Sequence, residues 1–325
     1  MTYLDPDSEG TLEANTIRLF EEIGWKAADC YHETFGPNSI LGRETSEQVV
    51  LERRLRKAIE ALNPGITPLA IDLAVEELTK DRSVLSPVRA NQETVKLLRD
   101  GVKVPVRRDD DQEQTELIRL VDWNNPANND FFLASQFWIS GDYGRKRADL
   151  VGFVNGIPLL FVELKASHRS LENAFKYNLS DYRSTVPQIF WHNAVIILSN
   201  GTKSRIGSMT AGWEHFAEWK KINDEGEEGI VSLDTMIRGV CEPCRLLDLV
   251  ENFTLYSEAE GETAKLIAKN HQFLGVNNAI EATEKIKTNR GKLGVFWHTQ
   301  GSGKSYSMVF FSQKVLRRYR ATGLF

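Results

Sequence analysis

Residues 148–165 read ADLVGFVNGIPLLFVELK, in which two apolar runs flank Asn155-Gly156. An Asn-Gly pair between two such runs is the strongest short-range signal for a β-hairpin. The sequence therefore predicts two antiparallel strands joined by this pair. Asp149 then lies early in the first strand and Glu163 late in the second, both remote from the turn.

Charged residues end the second strand of this hairpin. Side chains alternate along a strand, which places Glu163 and Lys165 on the same face as Phe161. Directly after the apolar run of residues 157–162, a Glu and a Lys are costly to bury unless they are paired or bind a metal. We therefore expect Asp149, Glu163 and Lys165 to form a functional site.

The turn length sets a condition on this site. A two-residue turn at Asn155-Gly156 would pair Asp149 with Val162, and directly paired residues share a face. Glu163 would then lie on the face opposite to Asp149. A site that contains both carboxylates requires an odd-length loop or a β-bulge, which we expect at Pro158 because proline cannot donate to the ladder.

The composition limits the class of protein. A chain of 325 residues, 41% hydrophobic and 26% charged, is long enough for two globular domains and does not fit a fibrous or disordered class. The net charge of -5 gives no overall basic field, so nucleic acid must be contacted by local patches such as Arg145-Lys146-Arg147. Three cysteines favour a reducing compartment, and no apolar stretch approaches the ~20 residues of a membrane span. These features predict a cytoplasmic protein without membrane attachment.

Periodicity and turn signals predict the remaining elements. Helices are expected at Leu12–Phe20, Thr45–Leu62, Pro68–Thr79 and Ser170–Tyr182. Strands are expected at Val102–Val106, Glu116–Trp123, Phe131–Ile139 and Asn193–Ser199, the first two joined around Arg107–Gln114. Asn223–Gly229 is predicted to be a loop and Glu258–Glu262 a linker near a domain boundary. This order of helix, meander, helix and strand predicts an α/β core.

A second motif lies close to the C-terminus. The sequence predicts a strand over Leu293–Trp297, a loop over His298–Ser305 and a helix over Tyr306–Arg318. The loop contains Gly301, Ser302, Gly303, Lys304 and Ser305, the pattern of a phosphate-binding loop. Glycines let backbone N–H groups approach phosphate oxygens, the lysine reaches the outer phosphates, and the serine can bind Mg²⁺.

Together these motifs resemble the endonuclease and translocase (R) subunit of type I restriction-modification enzymes, over essentially the whole chain. The resemblance implies an α/β fold with a PD-(D/E)xK (RecB-like) nuclease core, whose mixed sheet is flanked by helices, at residues 1–257. It implies the first strand, phosphate loop and helix of a RecA-like, helicase-like motor domain at residues 258–325, so that the chain is expected to be an N-terminal fragment.

The resemblance also implies residue roles. Asp149 and Glu163, with the backbone carbonyl of Leu164, would bind Mg²⁺, and Lys165 would be the catalytic lysine. Gln272 matches the adenine-reading glutamine upstream of the phosphate loop, although a polar residue that begins a helix explains it nearly as well. The possible further residues are an acidic side chain at Glu52, with Glu44, Glu47 and Glu60 as competitors, and the Asn178…Tyr182 pair, where the family often has Gln-x-x-x-Tyr.

The implied function is Mg²⁺-dependent cleavage of double-stranded DNA within an ATP-dependent restriction complex. The implied cofactors are Mg²⁺ and ATP, and the implied partners are double-stranded DNA and the modification and specificity subunits. The fragment itself is not expected to hydrolyse ATP. The alternative is a non-catalytic nucleotide-binding and assembly module of a DNA-processing complex, in which Asp149 and Glu163 are structural.

Overall fold

The chain folds into helices and strands in the computed structural model, which describes residues 8–107, 113–259 and 261–320. The α-helices in these ranges are α1 Glu9–Glu22, α2 Glu52–Leu62, α3 Pro68–Thr79, α4 Pro87–Asp100, α5 Leu171–Asn173, α6 Ser180–Thr185, α7 Leu233–Met236, α8 Pro243–Asn252, α9 Asn270–Glu284 and α10 Lys304–Arg320. The strands are β1 Lys26–Asp29, β2 Val102–Arg107, β3 Glu113–Ile118, β4 Phe131–Gly141, β5 Gly144–Val154, β6 Ile157–Leu164, β7 Val195–Ser199, β8 Ser204–Gly207, β9 Thr254–Ala259 and β10 Glu262–Ile267. No described helix is long and apolar enough to cross a membrane.

Six strands form one mixed sheet in the order β1-β4-β5-β6-β7-β8. β4, β5 and β6 are an antiparallel meander, whereas β1 pairs with β4 and β6 with β7 in parallel. A parallel pair needs a crossover, and the helical segment after β6 provides it. Helix α1 contacts β4 and β6, and α6 contacts β5. The predicted α/β architecture with a mixed, helix-flanked sheet is confirmed.

The Asn155-Gly156 turn has the predicted hairpin geometry. Its φ angles are 52° at Asn155 and 80° at Gly156, and positive values at both central positions are typical of a type I′ turn. A Cβ atom on Gly156 would lie 2.4 Å from the carbonyl oxygen of Leu51, so only glycine fits. The buried Asn155 amide donates to Leu120 O and Asn129 Oδ1, each at 2.8 Å. The turn is therefore fixed by tertiary contacts as well as by its own sequence.

The β5–β6 ladder shifts by one residue next to Pro158. Phe153 pairs with Pro158, but the next pair is Gly152 with Leu160, which leaves Leu159 as an extra residue. The predicted β-bulge is confirmed, one residue beyond the proline.

The predicted helix over Thr45–Leu62 is wrong in its first turns. Helix α2 begins only at Glu52, because the preceding segment uses its backbone in tertiary contacts. Ser46 O accepts the N–H of Ser140 at 3.0 Å, and the N–H of Leu51 donates to Gly156 O at 2.8 Å. The predicted helix at Pro68–Thr79 is confirmed, and that at Leu12–Phe20 lies within α1, whereas α4 was not predicted.

The predicted helix over Ser170–Tyr182 is a composite. It consists of α5, a π-helical segment at Ala174–Leu179 and α6, which continues to Thr185. Strands β4 and β7 lie where strands were expected at Phe131–Ile139 and Asn193–Ser199. Asn223–Gly229 contains no helix or strand, as predicted.

Two hairpins lie outside the main sheet. The predicted strand pair around Arg107–Gln114 forms as β2–β3, but its second strand ends at Ile118 rather than Trp123, and residues 108–112 lie outside the described residues. The prediction of a linker at Glu258–Glu262 is wrong, because these residues end β9 and begin β10 of a second hairpin. The hairpin packs on the preceding structure, where Lys265 O accepts the hydroxyl of Ser208 at 2.6 Å.

The predicted strand at Leu293–Trp297 is also wrong. Residues 292–299 have no regular secondary structure, and Val295 is 92% exposed. A strand needs a hydrogen-bonded neighbour, and none of the described strands pairs with this segment. The helix expected after the phosphate loop does form, as α10, and packs against α9.

Candidate active site

Asp149 and Glu163 lie next to each other at the end of the β5–β6 ladder. The last pair in the ladder is Leu150 with Val162, so the same register places Asp149 opposite Glu163. Residues directly opposite each other in an antiparallel pair share a face. The bulge at Leu159 therefore brings the two carboxylates together.

The Asp149 carboxylate takes the place of a ladder hydrogen bond. Its Oδ2 atom accepts the N–H of Leu164 at 2.7 Å. Burial raises the pKa of Asp149, while the Leu164 N–H and the charge of Lys165 act in the opposite direction. The peptide between Glu163 and Lys165 is thus tied to Asp149, which fixes the three charged side chains relative to each other.

Glu163 is the least satisfied carboxylate of the cluster. The residue is 3% exposed, and its Oε1 atom accepts from Lys165 Nζ at 2.7 Å, but its Oε2 atom has no hydrogen-bond partner. Burial and, after it, the charge of Asp149 raise the pKa of Glu163 to about 7. A buried oxygen without a partner is costly, so the cluster lacks positive charge on this side.

Lys165 is held at the edge of the cluster. Its backbone N–H donates to Ser199 O on the neighbouring parallel strand at 2.9 Å, and its side chain is 18% exposed. Burial lowers the pKa of Lys165, but the adjacent Glu163 outweighs burial, and the net direction is upward. The ammonium group therefore stays charged at neutral pH.

Two further acidic residues come from α1, and sequence reasoning missed both. Glu9 Oε1 accepts the N–H of Ala166 at 3.1 Å. Glu13 is close enough to Asp149 for the two charges to interact, and burial raises its pKa to about 6. The signal was present, because Glu9 and Glu13 continue the stripe that includes Thr16 and Phe20, the buried residues of α1.

Gln136 is the polar neighbour of this acidic pair on β4. Its φ of 55° is unusual for a residue other than glycine, and its amide donates to Glu13 Oε2. Strained backbone of this kind is concentrated at functional sites. A glutamine in an apolar strand was the only sequence signal.

The remaining predicted candidates, Tyr182, Asn178 and Glu52, lie at different distances from the carboxylate cluster. Tyr182 lies beside the cluster, where its ring meets Phe161 at 5.0 Å and its hydroxyl donates to Arg147 O. Asn178 is half-buried in the π-helical segment. Glu52 lines a different cleft, together with residues of the β4–β5 turn, so the acidic residues that join Asp149 come from α1 instead.

The donor set of the cluster fits a divalent cation bound through few protein ligands. Within the described ranges, no group of three His, Cys, Asp or Glu side chains is arranged to hold a metal ion. Asp149 and Glu163 are two adjacent carboxylates, and the unpartnered Oε2 atom of Glu163 is an oxygen ligand without a counter-charge. Mg²⁺ typically takes one or two carboxylates and keeps several waters, so these residues suit it.

The loop over residues 299–305 has its glycines where the backbone requires them. Gly301 and Gly303 have φ of 80° and 85°, and a Cβ atom on Gly303 would lie 2.7 Å from the Gln272 amide. Lys304 begins α10, and its ammonium donates to the carbonyl groups of His298 and Thr299 at 2.9 and 3.2 Å. The structure thus brings the predicted loop, its lysine and a helix N-terminus together.

Gln272 contacts the same loop. It is buried in the first turn of α9, where its Oε1 atom accepts the N–H of Lys269 at 2.9 Å in a capping box. Its Nε2 atom donates to Gly303 O at 3.0 Å. Both ends of the amide are therefore occupied by backbone groups, as expected for a residue that begins a helix.

Two family models match the chain. The first, described as the type I restriction enzyme R protein N terminus, matches residues 6–215, which include Asp149, Glu163 and Lys165. The second, described as SWI2/SNF2 ATPase, matches residues 271–324, which include Gln272 and Lys304.

Curated relatives have related descriptions. The chain is 34% identical to the type I restriction enzyme HindI endonuclease subunit of Haemophilus influenzae, over 95% of the chain and 30% of the relative. It is 26% identical to a putative type I restriction enzyme MjaIXP endonuclease subunit of Methanocaldococcus jannaschii, over 85% of the chain and 28% of the relative. The chain thus spans less than a third of the length of these relatives. Because the first family model matches more than half of its residues, the chain belongs to the type I restriction enzyme R protein N-terminal family.

Proposed function

We propose that Asp149, Glu163 and Lys165 form the site of a Mg²⁺-dependent nuclease of the PD-(D/E)xK (RecB-like) kind, which cleaves double-stranded DNA. One observation carries the proposal. A β-bulge brings two carboxylates onto one face, and the buried Oε2 atom of Glu163 has no partner. A purely structural Glu would be expected to have both oxygens hydrogen-bonded. The names of the relatives, which are endonuclease subunits, support the same reading.

Asp149, Glu163 and the carbonyl of Leu164 would hold the ion through oxygen atoms. When bound, Mg²⁺ supplies Lewis-acid polarisation of the scissile phosphate and makes a water more acidic. Asp149 keeps the ligands in register, because its second role is to accept the N–H of Leu164.

Lys165 supplies a fixed positive charge next to the ligands. Its ammonium lies 2.7 Å from Glu163 Oε1, so it can also approach a phosphate oxygen or the attacking water on that side of the cluster. A preorganised cation at the position where negative charge develops stabilises the transition state without reorganisation. Tyr182 of α6 supports strand β5, because its hydroxyl donates to the backbone carbonyl of Arg147.

The loop at residues 301–305 is proposed to bind the phosphates of ATP for a translocating motor. Lys304 now donates to two loop carbonyls, so it would exchange these for phosphate oxygens, and Ser305 would contribute to a Mg²⁺ site. Gln272 would have to release the Gly303 carbonyl or Lys269 N–H in order to read an adenine. The partial match to SWI2/SNF2 ATPases supports this role.

The whole protein is proposed to act in the cytoplasm with modification and specificity subunits, which would select the DNA site. The decisive test uses the complete subunit assembled in such a complex, with supercoiled DNA, Mg²⁺ and ATP. Asp149→Asn and Lys165→Ala should each reduce cleavage by at least about a hundredfold, because each removes a group from the reacting centre. ATP hydrolysis should remain within about twofold, since the two sites use different residues.

The alternative is a non-catalytic nucleotide-binding and assembly module. In that case both substitutions would leave cleavage unchanged, while Lys304→Ala would still weaken nucleotide binding. Binding of a fluorescent ATP analogue to the 325-residue chain, with and without Lys304→Ala, measures the effect on nucleotide binding. ATP turnover by this chain, abolished by Lys304→Ala, would contradict the expectation that it binds nucleotide without hydrolysing it.

A further inference from the structure

Two exposed arginines share a strand face with Asp149. Arg145, Arg147 and Asp149 alternate along β5 and therefore point to one side of the sheet, whereas Lys146 points to the other. The pairing of β4 with β5 places Trp138 directly beside Arg147. The face that holds the carboxylates thus continues along β5 as a basic strip.

Aromatic rings hold both guanidinium groups in place. The Arg145 guanidinium lies 4.1 Å from the centre of the Trp138 ring, and that of Arg147 lies 4.8 Å from Tyr31 and 5.3 Å from Trp138. The two aromatic residues are tied together, because Trp138 Nε1 donates to the backbone carbonyl of Tyr31 at 3.1 Å. Such stacking leaves the in-plane N–H donors of arginine available to a ligand.

Neither arginine is neutralised by a neighbour. Among the residues that the structure describes, no carboxylate forms an ion pair with Arg145 or Arg147, and both side chains are exposed. Lys146, which the sequence grouped with them, is instead paired with Asp181 on α6. The three-residue basic patch is therefore divided, with two free cations on the face of Asp149 and one neutralised cation on the other.

We infer that Tyr31, Trp138, Arg145 and Arg147, the arginine–aromatic surface, bind the phosphodiester backbone of the DNA strand that enters the Asp149–Glu163 site. This inference rests on the proposed nuclease function and adds where the strand is held. Planar guanidinium groups match phosphate oxygens with two parallel hydrogen bonds, and the exposed Tyr31 ring with the half-buried Trp138 ring offers a surface for a sugar or a base. In a chain with a net charge of -5, these two arginines provide a local positive field beside the carboxylates.

The position suits a strand that approaches the site along β5. Arg147 lies two residues before Asp149 on the same strand face. Arg145 lies two residues further from the cluster, so the two arginines follow β5 away from the carboxylates, with about 6.6 Å between their Cα positions. The surface is therefore placed to position DNA beside the carboxylates.

The test measures binding of a fluorescent DNA duplex to the 325-residue chain by anisotropy, in EDTA and at low ionic strength. The double variant Arg145→Gln/Arg147→Gln should bind roughly tenfold more weakly and lose about two units of the slope of log Kd against log salt, since two phosphate contacts disappear. Lys146→Gln is the matched control, because it removes one charge from the same three-residue segment. It should bind within about twofold of the unmodified chain, because the lysine that it replaces is paired with Asp181.

Two further measurements separate a phosphate site from simple loss of charge. Arg145→Lys/Arg147→Lys keeps the charge but removes the planar fork, so it should recover the salt slope but only part of the affinity. Cross-linking of a bromodeoxyuridine-substituted duplex should map to Tyr31 or Trp138. Unchanged thermal unfolding of each variant shows that the fold is intact.

Several results would overturn the inference. The unmodified chain could fail to bind the duplex at all, or the Arg145→Gln/Arg147→Gln variant could bind it as tightly as the unmodified chain. Lys146→Gln could also weaken binding as much as the double variant does; each of these results contradicts the inference. The nuclease proposal fails by a different result, which is continued cleavage by the assembled complex with Asp149→Asn. A complex that loses cleavage with Asp149→Asn but is indifferent to both arginines would reject only the arginine–aromatic surface.

Discussion

The Asp149 carboxylate accepts the backbone N–H of Leu164 at 2.7 Å, and this contact joins the two strands of the candidate active site. Leu164 stands between Glu163 and Lys165, so a shift of Asp149 would move both. The cluster concentrates the buried carboxylate of Glu163 and the half-buried carboxylate of Asp149 against one ammonium group, an arrangement that is unfavourable for the isolated fold. Its energetic consequences can be measured on the 325-residue chain itself.

The first prediction concerns metal binding. Adding Mg²⁺ in excess to the chain at about pH 8 should raise its melting temperature by several degrees, because a ligand at about a hundred times its Kd stabilises by roughly 2.7 kcal/mol. Asp149→Asn should abolish the rise. Differential scanning fluorimetry measures it, with Asp142→Asn, at an exposed turn residue, as the control. An equal rise in the Asp149→Asn variant would place the ion elsewhere.

The second prediction concerns alkaline pH. The folded-state pKa of Glu163 is raised to about 7 from 4.5, first by burial and then by Asp149, so the folded state binds this proton more tightly than the unfolded state. The resulting stability is therefore present below pH 4.5 and lost as the pH rises through about 7. Between about pH 5 and about pH 8 in EDTA, the free energy of unfolding should fall by on the order of 3 kcal/mol from this group.

Urea unfolding tests whether Glu163 causes this loss of stability. The variants are Glu163→Gln and, as the control, Glu60→Gln at an exposed position of α2. The first variant should flatten the alkaline loss of stability, whereas the second should keep it. Identical pH profiles for Glu163→Gln and the unmodified chain would mean that Glu163 does not carry the effect.

The third prediction concerns mildly acidic pH. His192 is buried, its Nδ1 atom has no partner, and burial lowers its pKa to about 4 from 6.5. The unfolded state then binds the proton more tightly, so stability is present above pH 6.5 and is lost as the pH falls towards 4. His192→Gln should reduce the slope of the unfolding free energy against pH in this range, by at most about 1.4 kcal/mol per pH unit, which is the contribution of one proton. The exposed His215→Gln variant should retain the full slope, and a retained slope in His192→Gln would assign the loss to other groups.

The fourth prediction concerns the turn that sets the register. Gly156→Ala combines a positive φ with a Cβ atom 2.4 Å from Leu51 O, so it must displace the start of α2 or the hairpin. Gly65→Ala is the matched control, with a φ of 83° and no atom within 4 Å of the new Cβ. The control should cost about 1 kcal/mol from backbone strain alone and Gly156→Ala several times more, measured by urea unfolding. Equal losses would mean that the contact with Leu51 can relax.

The sequence by itself determined the central hairpin and the identity of its three charged residues. Asn155-Gly156 between apolar runs specifies the turn locally, because both positions require positive φ, and the requirement for a bulge follows from the two-residue period of a strand. Parity thus predicted an irregularity at Pro158, which the structure has at Leu159. The loop of residues 301–305 could also be predicted from local sequence, since its glycines and its lysine lie within five consecutive residues.

Only the tertiary structure decided which other residues join the site. Glu9 and Glu13 are more than 130 positions before Asp149 in the chain, and only packing of α1 on the sheet brings them near it. The division of the basic patch was also beyond sequence, because it depends on Asp181 being within reach of Lys146 and on the rings of Tyr31 and Trp138. The start of α2 was decided by hydrogen bonds to distant segments, whereas Leu293–Trp297 is not a strand because none of the described strands pairs with it. Local propensity contains neither kind of information.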